Sequence, residues 1–224
     1  MSQIVNPADA FGILGNDLVT FQQDPATTGI IIGGTADTAT TFVTLSLVDD
    51  TTGEYINFLS NAGAGNGIGI RCTAFTNMSG NEKPVWTTTI KTGGAGADVA
   101  DIRIWAGIAA SNPAAGDTPG VIQLACFKYS TVTDTAFWRA VTCDGTTTTT
   151  TVTTSAIAAD TRYVFMIDWS NPLRVDFYVN DVIVASHTTN LPAAATRLGW
   201  IAEGTNVTAT TKNLRWRRTA FLRN

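Results

Sequence analysis

The chain has 224 residues, 44% of them apolar and 14% charged, with a net charge of −4. That length suits a single all-β domain, the apolar fraction excludes a disordered chain, and the acidic balance excludes a general attraction to nucleic acid or anionic membrane. No stretch approaches the roughly 18–20 uninterrupted apolar residues of a membrane span.

The start, "MSQIVNPADAFGILGND", lacks the basic region and apolar run of a secretory signal, so folding in a cytoplasm is expected. It mixes Ile4, Val5, Phe11, Ile13 and Leu14 with turn residues in no clear period. Residues 1–17 are therefore read as an N-terminal arm or extension that lies on its own domain or reaches across a partner, and 18–224 as one domain.

Downstream, short runs of period near two recur between Gly, Asn, Asp and Pro clusters, the pattern of a sandwich or barrel. The spacing predicts strands at Thr41–Val48, Tyr55–Leu59, Ile68–Phe75, Val85–Lys91, Asp101–Ile108 and Val121–Tyr129. It predicts more at Phe137–Cys143, Tyr163–Trp169, Arg174–Val179, Val182–His187, Arg197–Ala202 and Asn213–Arg218. The threonine run Thr146–Thr151 has the length of a further strand or a polar hairpin arm.

Three glycine-rich stretches, "NAGAGNGIG", "KTGGAGADVAD" and "ASNPAAGDTPG", lack the strand-to-helix context and the lysine of a phosphate cradle, and are read as loops. Cys72, Cys126 and Cys143 match no zinc or redox spacing, so they are read as buried free thiols.

In "RVDFYVNDVIVASH", Val175, Phe177 and Val179 alternate with outward residues, and a two-residue turn at Asn180-Asp181 sets Val179 opposite Val182 and Phe177 opposite Val184. This register places His187 on the outer face, opposite Arg174. The preceding "YVFMIDW" is apolar on both sides, which predicts a central strand.

The order "YVFMIDW", "VDFYVNDVIVASHTTNLP", "RLGWIAEGT", "TKNLRWRR" resembles the C-terminal half of concanavalin A-like jelly rolls, the group of laminin-G-like and legume-lectin-like domains. The stretch "IQLACFKYSTVTDTAFWRAVTCDGTTTTTTVTTSAIAADTRYVF" is similar to modules of tailed-bacteriophage virion surface proteins. The resemblance spans roughly Ala100 to Arg218. It implies an all-β antiparallel β-sandwich of concanavalin A-like jelly-roll type, a fold that hosts lectins, hydrolases and scaffolds alike.

A glycosidase of this fold needs paired carboxylates, whereas Glu54, Glu82 and Glu203 each stand alone. Asp98 and Asp101, three residues apart, fall on opposite faces of any strand containing both, and are read as loop caps. The one histidine, His187, stands beside Ser186 but on the other side of its strand, and is read as a hydrogen-bonded surface residue. Asp49-Asp50 resembles an acidic turn and makes a poor calcium site.

On these grounds no catalytic residue, metal or cofactor is assigned, and the chain is expected not to be an enzyme. Trp105, which faces away from Ile102, Ile104 and Ile108, together with Trp138 and Trp200, are the candidate glycan- or partner-facing aromatics. Arg215, Arg217, Arg218 and Arg223 concentrate positive charge near the C-terminus and are the candidate partner-binding residues. The expected role is a phage capsid decoration (cement) protein that bridges capsomers. It is expected to assemble in the host cytoplasm as a homo-oligomer, by preference a trimer, on the major capsid protein of the virion. The alternative is a carbohydrate- or host-receptor-binding tail or head-fibre module, with a host glycan as partner.

Overall fold

The computed structural model describes residues 19–20, 42–50, 53–60, 62–71, 78–113, 116–134 and 136–222. In chain order the strands are β1 (Val19–Thr20), β2 (Phe42–Asp50), β3 (Gly53–Ser60), β4 (Gly67–Arg71), β5 (Val85–Thr92), β6 (Ile102–Ala109) and β7 (Gln123–Ser130). Then follow β8 (Phe137–Asp144), β9 (Thr148–Ala156), β10 (Arg162–Asn171), β11 (Arg174–Val179), β12 (Val182–His187), β13 (Gly199–Asn206) and β14 (Asn213–Leu222). The helical content is one turn at Gly96–Val99 and a 3-10 turn at Gly80–Glu82 among the described residues.

Two antiparallel sheets form a sandwich. The eight-stranded sheet runs β12-β11-β10-β5-β14-β3-β2, with β1 beside β14, and the six-stranded sheet runs β4-β13-β6-β7-β8-β9. Among the described strands the chain passes between the sheets at β3–β4, β4–β5, β5–β6, β9–β10, β12–β13 and β13–β14, so neither sheet is built from one continuous stretch. Strand β10 lies between β5 and β11, central as its two-sided apolar sequence requires. The threonine run is a strand, β9, at an edge of the six-stranded sheet.

Alternation decides what meets between the sheets. Tyr163, Phe165, Ile167 and Trp169 of β10 point inward, against Phe127 of β7 and Trp138 of β8. The ring centroids of Trp138 and Phe165 are 4.8 Å apart, and those of Phe127 and Phe165 are 4.6 Å apart. Each such buried aromatic is worth about 1.5–3 kcal/mol over leaving it exposed, so this layer is the main cohesive contact.

The β11–β12 hairpin turns at Asn180 and Asp181, both with positive φ (50° and 65°), and Val179 stands opposite Val182. A bulge at Phe177/Tyr178 then shifts the register by one. Phe177 consequently faces Ala185 and not Val184, and His187 faces Val175 and not Arg174. This corrects the outward placement of His187, which is buried against the ring of Phe177. Its Nδ1 lies 2.9 Å from the Thr142 hydroxyl of β8 and its Nε2 3.0 Å from the Thr151 hydroxyl of β9, so one imidazole stitches the two sheets together along their shared edge.

The expected arm at 1–17 and Cys72 lie outside the described residues. Cys126 and Cys143 are free and buried.

Candidate functional site in a cleft on the six-stranded sheet

The outward face of the six-stranded sheet carries an unusual set of side chains for a strand surface. In β6, Ile102, Ile104 and Ile108 enter the core, which turns Arg103, Trp105 and Gly107 outward. In β7, Phe127 and Tyr129 face in, leaving Cys126 and Lys128 outside, and in β8 Trp138 and Ala140 face in, leaving Arg139 and Val141 outside. The register lines these up across strands: Glu203 is paired with Trp105, Trp105 with Lys128, Lys128 with Arg139, and Arg139 with Val152. One row across five strands therefore reads acid, indole, two cations and a valine.

Gly107 allows two of these strands to close up. A Cβ there would sit 2.4 Å from the Ala125 carbonyl oxygen and 2.6 Å from Cys126 Cα. Beside this row lies a satellite apolar cluster, made of Ala109, Leu124, Cys126, Val141, Cys143 and Ile201 around Trp105. Burial in this cluster pushes the Cys126 thiol far above its usual range.

The β6–β7 connection folds over one end of the row as a strap. Asn112 Nδ2 donates to Glu203 Oε2 at 3.3 Å, and Trp105 Nε1 donates to the Gly116 carbonyl at 3.2 Å. Arg103 clasps Asp117 with two parallel bonds of 2.8 and 2.6 Å. This Arg103 contact holds the Asp117 carboxyl below the usual carboxylate range, against the opposing effect of burial.

At the other end the β7–β8 connection brings Asp134 down between the two cations. Its carboxylate pairs with Lys128 Nζ at 3.3 Å and with Arg139 Nε, and Lys128 Nζ also donates to the Thr133 hydroxyl at 2.8 Å. Asp134 and Lys128 are almost wholly buried, and Arg139 is 21% exposed. Lys128 Nζ sits 5.8 Å from the Trp105 ring centre, over its face. Desolvation lowers the Lys128 pKa and is opposed chiefly by Asp134.

Between the strap and the Asp134 turn a cleft of about 340 Å³ remains open. Trp105 and Val141 lie at its floor, Asp117, Thr118 and Pro119 form one wall, and Thr148 and Thr150 of β9 form the other. Trp105 and Val141 are buried, so the accessible groups of the concavity are hydroxyls and the Arg139 guanidinium, which can hold a polar ligand by hydrogen bonds.

Of the aromatics anticipated from sequence, Trp105 lies on the outward side of its sheet beneath this cleft, but it is fully buried under the strap and the Lys128 ammonium and presents no open ring face. Trp138 and Trp200 are fully buried in the inter-sheet core, because they alternate with Arg139 and Ile201, which take the outward places. Arg215 lies on the opposite sheet, with its Nη1 3.4 Å from Asp160, and Arg217 is exposed farther along β14. Arg218 stands opposite Thr89, and Arg223 is outside the described residues. Asp98 is a buried structural acceptor for the backbone N–H groups of Ala95 and Asn213, and Asp101 is an exposed turn residue with φ 52°.

Lys128, Asp134, Arg139, Arg103, Asp117 and the position of Glu203 escaped the sequence reading. A signal was present in "LACFKYS" and "AFWRAVTC", where a single cation interrupts a strand otherwise apolar on both faces. Such a cation must find a partner on the covered face. The partners arrive from loops, which strand periodicity does not reach.

No protein-family model matches the sequence, and comparison with curated proteins by sequence finds no match. Among solved structures the chain is similar to a carbohydrate esterase from the Shiga toxin-encoding bacteriophage phi24B, with a TM-score of 0.61 and 16% identity over 94% of this chain and 100% of that one. It is similar to the alginate lyase A1-II', of polysaccharide lyase family 7, with a TM-score of 0.52 and 11% identity over 80% of this chain and 83% of that one. The third is an endo-β-1,4-glucuronan lyase from the fungus Trichoderma reesei, with a TM-score of 0.52 and 9% identity over 81% and 87%. The expectation that the chain is not an enzyme is corrected by these neighbours: the fold it shares carries carbohydrate esterase and lyase chemistry, so the lack of a glutamate pair does not exclude activity. The fold of this chain is the concanavalin A-like jelly roll, an all-β antiparallel sandwich, with a bacteriophage protein among its structural neighbours.

Proposed function

We propose that this chain is a saccharide-engaging jelly roll of a phage particle, which holds a glycan in the cleft on its six-stranded sheet. The observation that carries this reading is an open concavity on the six-stranded sheet walled by the exposed Thr148 and Thr150 and reached by the partly exposed Arg139, above the buried Trp105 and Lys128. Sugar rings carry a rim of hydroxyls, and these hydroxyl and guanidinium groups complement it. The carbohydrate chemistry of the structural neighbours supports the choice of ligand class.

The test is a panel of immobilised bacterial surface polysaccharides probed with the purified chain, with release of sugars or acyl groups followed in parallel. Retention on at least one polysaccharide is expected. Thr150 is exposed at the cleft wall, so Thr150→Trp fills the cleft without disturbing the core and is expected to lower retention at least about tenfold. Unchanged retention by this variant refutes the cleft as the site.

A second reading, as a decoration protein of the capsid, is favoured by a different surface. Arg162, Lys91 and Arg215 stand side by side on β10, β5 and β14, with Asp160 paired to the last two. Lys91 is buried in this row, whereas Arg162 is exposed and Arg215 partly so, and exposed cations suit docking on carboxylates of a major capsid protein by a homo-oligomer, such as a trimer, whose many copies multiply a modest contact. Replacing Arg215, Arg217 and Arg218 with serine is then expected to lower the copy number per particle by mass spectrometry. An unchanged copy number counts against this surface.

A further inference from the structure

We propose that the outward stripe of β10 is a self-complementary docking surface for a second copy of this chain, which packs on it face to face about a two-fold axis at the level of Phe165. The surface lies on the sheet opposite the cleft, so it is independent of the saccharide reading and shares only Arg162 with the cationic row.

Tyr163, Phe165, Ile167 and Trp169 fill the core, which turns Arg162, Val164, Met166 and Asp168 outward on the eight-stranded sheet. Arg162 is exposed, and the other three are partly exposed. The stripe therefore reads cation, valine, methionine, anion. At a rise of roughly 3.3 Å per residue its two charges stand about 20 Å apart, beyond the distance at which exposed charges sense each other in physiological salt.

Neither charge is answered within the chain. Asp168 accepts the Ser170 N–H at 2.8 Å and has no cation in ion-pair reach among the described residues, and Arg162 has no carboxylate. Their cross-strand neighbours are matched already: Lys91, opposite Arg162, pairs with Asp160, and Asp176, opposite Asp168, pairs with Arg174 and accepts the Ser186 hydroxyl. Lys83 and Asp181, exposed in the adjoining turns, form an ion pair with neither.

A second copy turned over about an in-plane axis perpendicular to β10 answers both charges at once. It sets Arg162 over the partner's Asp168 and Asp168 over the partner's Arg162, with Val164 against the partner's Met166 between them. Stacked sheets lie about 10 Å apart, a gap that an extended arginine and an aspartate span together. The same rotation lays Tyr178 over the partner's Asn180 and Thr87 over the partner's Thr89, so no like charges meet beside the stripe. Both clefts stay on the outer faces of the pair, where two sites on one particle can engage a polymer together.

Sedimentation of the full chain at micromolar concentration is expected to show a dimer that weakens in high salt. Arg162→Asp and Asp168→Arg, each alone, set like charges at both symmetry-related contacts and are expected to weaken association at least about a hundredfold. An equimolar mixture of these two variants again sets opposite charges at both contacts, and a heterodimer of near wild-type strength is expected, a recovery that misfolded variants could not give. A wild-type chain that sediments as a monomer or trimer, a dimer that survives either reversal, or a mixture that stays monomeric overturns this surface, whatever the polysaccharide panel returns.

Discussion

At the scale of single residues, His187 shows how one side chain can tie stability to pH. It is held neutral between two threonine hydroxyls and the Phe177 ring, and burial lowers its pKa from the 6.5 of a free histidine. In the unfolded chain the ring takes up a proton near that value, while the folded chain resists it, so between the two pKa values the unfolded state binds more protons. Stability is therefore expected to be complete above about pH 6.5 and to fall as the pH drops below it. His187→Gln should cost about 1–3 kcal/mol at neutral pH, through lost packing and hydrogen bonds, and should flatten the slope between pH 7 and 5. Thermal melts across that range check both; an equal slope in the variant would assign the pH response to other groups. Sequence reading found this histidine but placed it outside, because alternation carries no sign of a bulge.

At the scale of elements, the strands themselves were legible and their side-facing was not always so. "YVFMIDW" and the Asn180-Asp181 turn declare themselves, since two-sided apolar character and left-handed turn residues have a direct physical cause. The strap over Glu203, Trp105 and Arg103 had no such signal: "ASNPAAGDTPG" reads as a loop, and its contacts depend on which strands lie beneath it. The turn also offers a test. Asp181 pays a left-handed strain at φ 65°, while the Asn180 side chain accepts a bond from the Val164 N–H at 2.9 Å and should be kept. Asp181→Gly is expected to raise stability by about 0.5 kcal/mol in denaturant melts, because relief of strain exceeds the added freedom of the unfolded chain. A loss of stability would mean the Asp181 side chain contributes a contact of its own.

At the scale of the whole molecule, cohesion comes from the aromatic layer between the sheets, and Trp138 is the clearest case. It reaches from the six-stranded sheet to Tyr163 and Phe165 on the other, with centroid separations of 5.4 and 4.8 Å. Trp138→Ala should lower the free energy of unfolding by about 3–5 kcal/mol, as a large cavity opens where the layers meet. A loss below about 1 kcal/mol in chemical denaturation would contradict this placement. The two-sheet architecture was legible from sequence because periodicity and turn chemistry agree along most of the chain. The cleft was not, because its charged residues come from β6, β7, β8 and two connections, and only the folded register sets them in one row.

Cys126 and Cys143, the two free cysteines among the described residues, have a practical consequence. Cys143 Sγ lies 3.8 Å from the Gly120 carbonyl of the strap, and Cys126 is sealed in the same satellite cluster. A thiol-alkylating reagent reaches neither while the strap is seated, so the rate of their labelling is a clock for its lifting. Occupancy of the neighbouring cleft by any tightly held molecule should slow that clock.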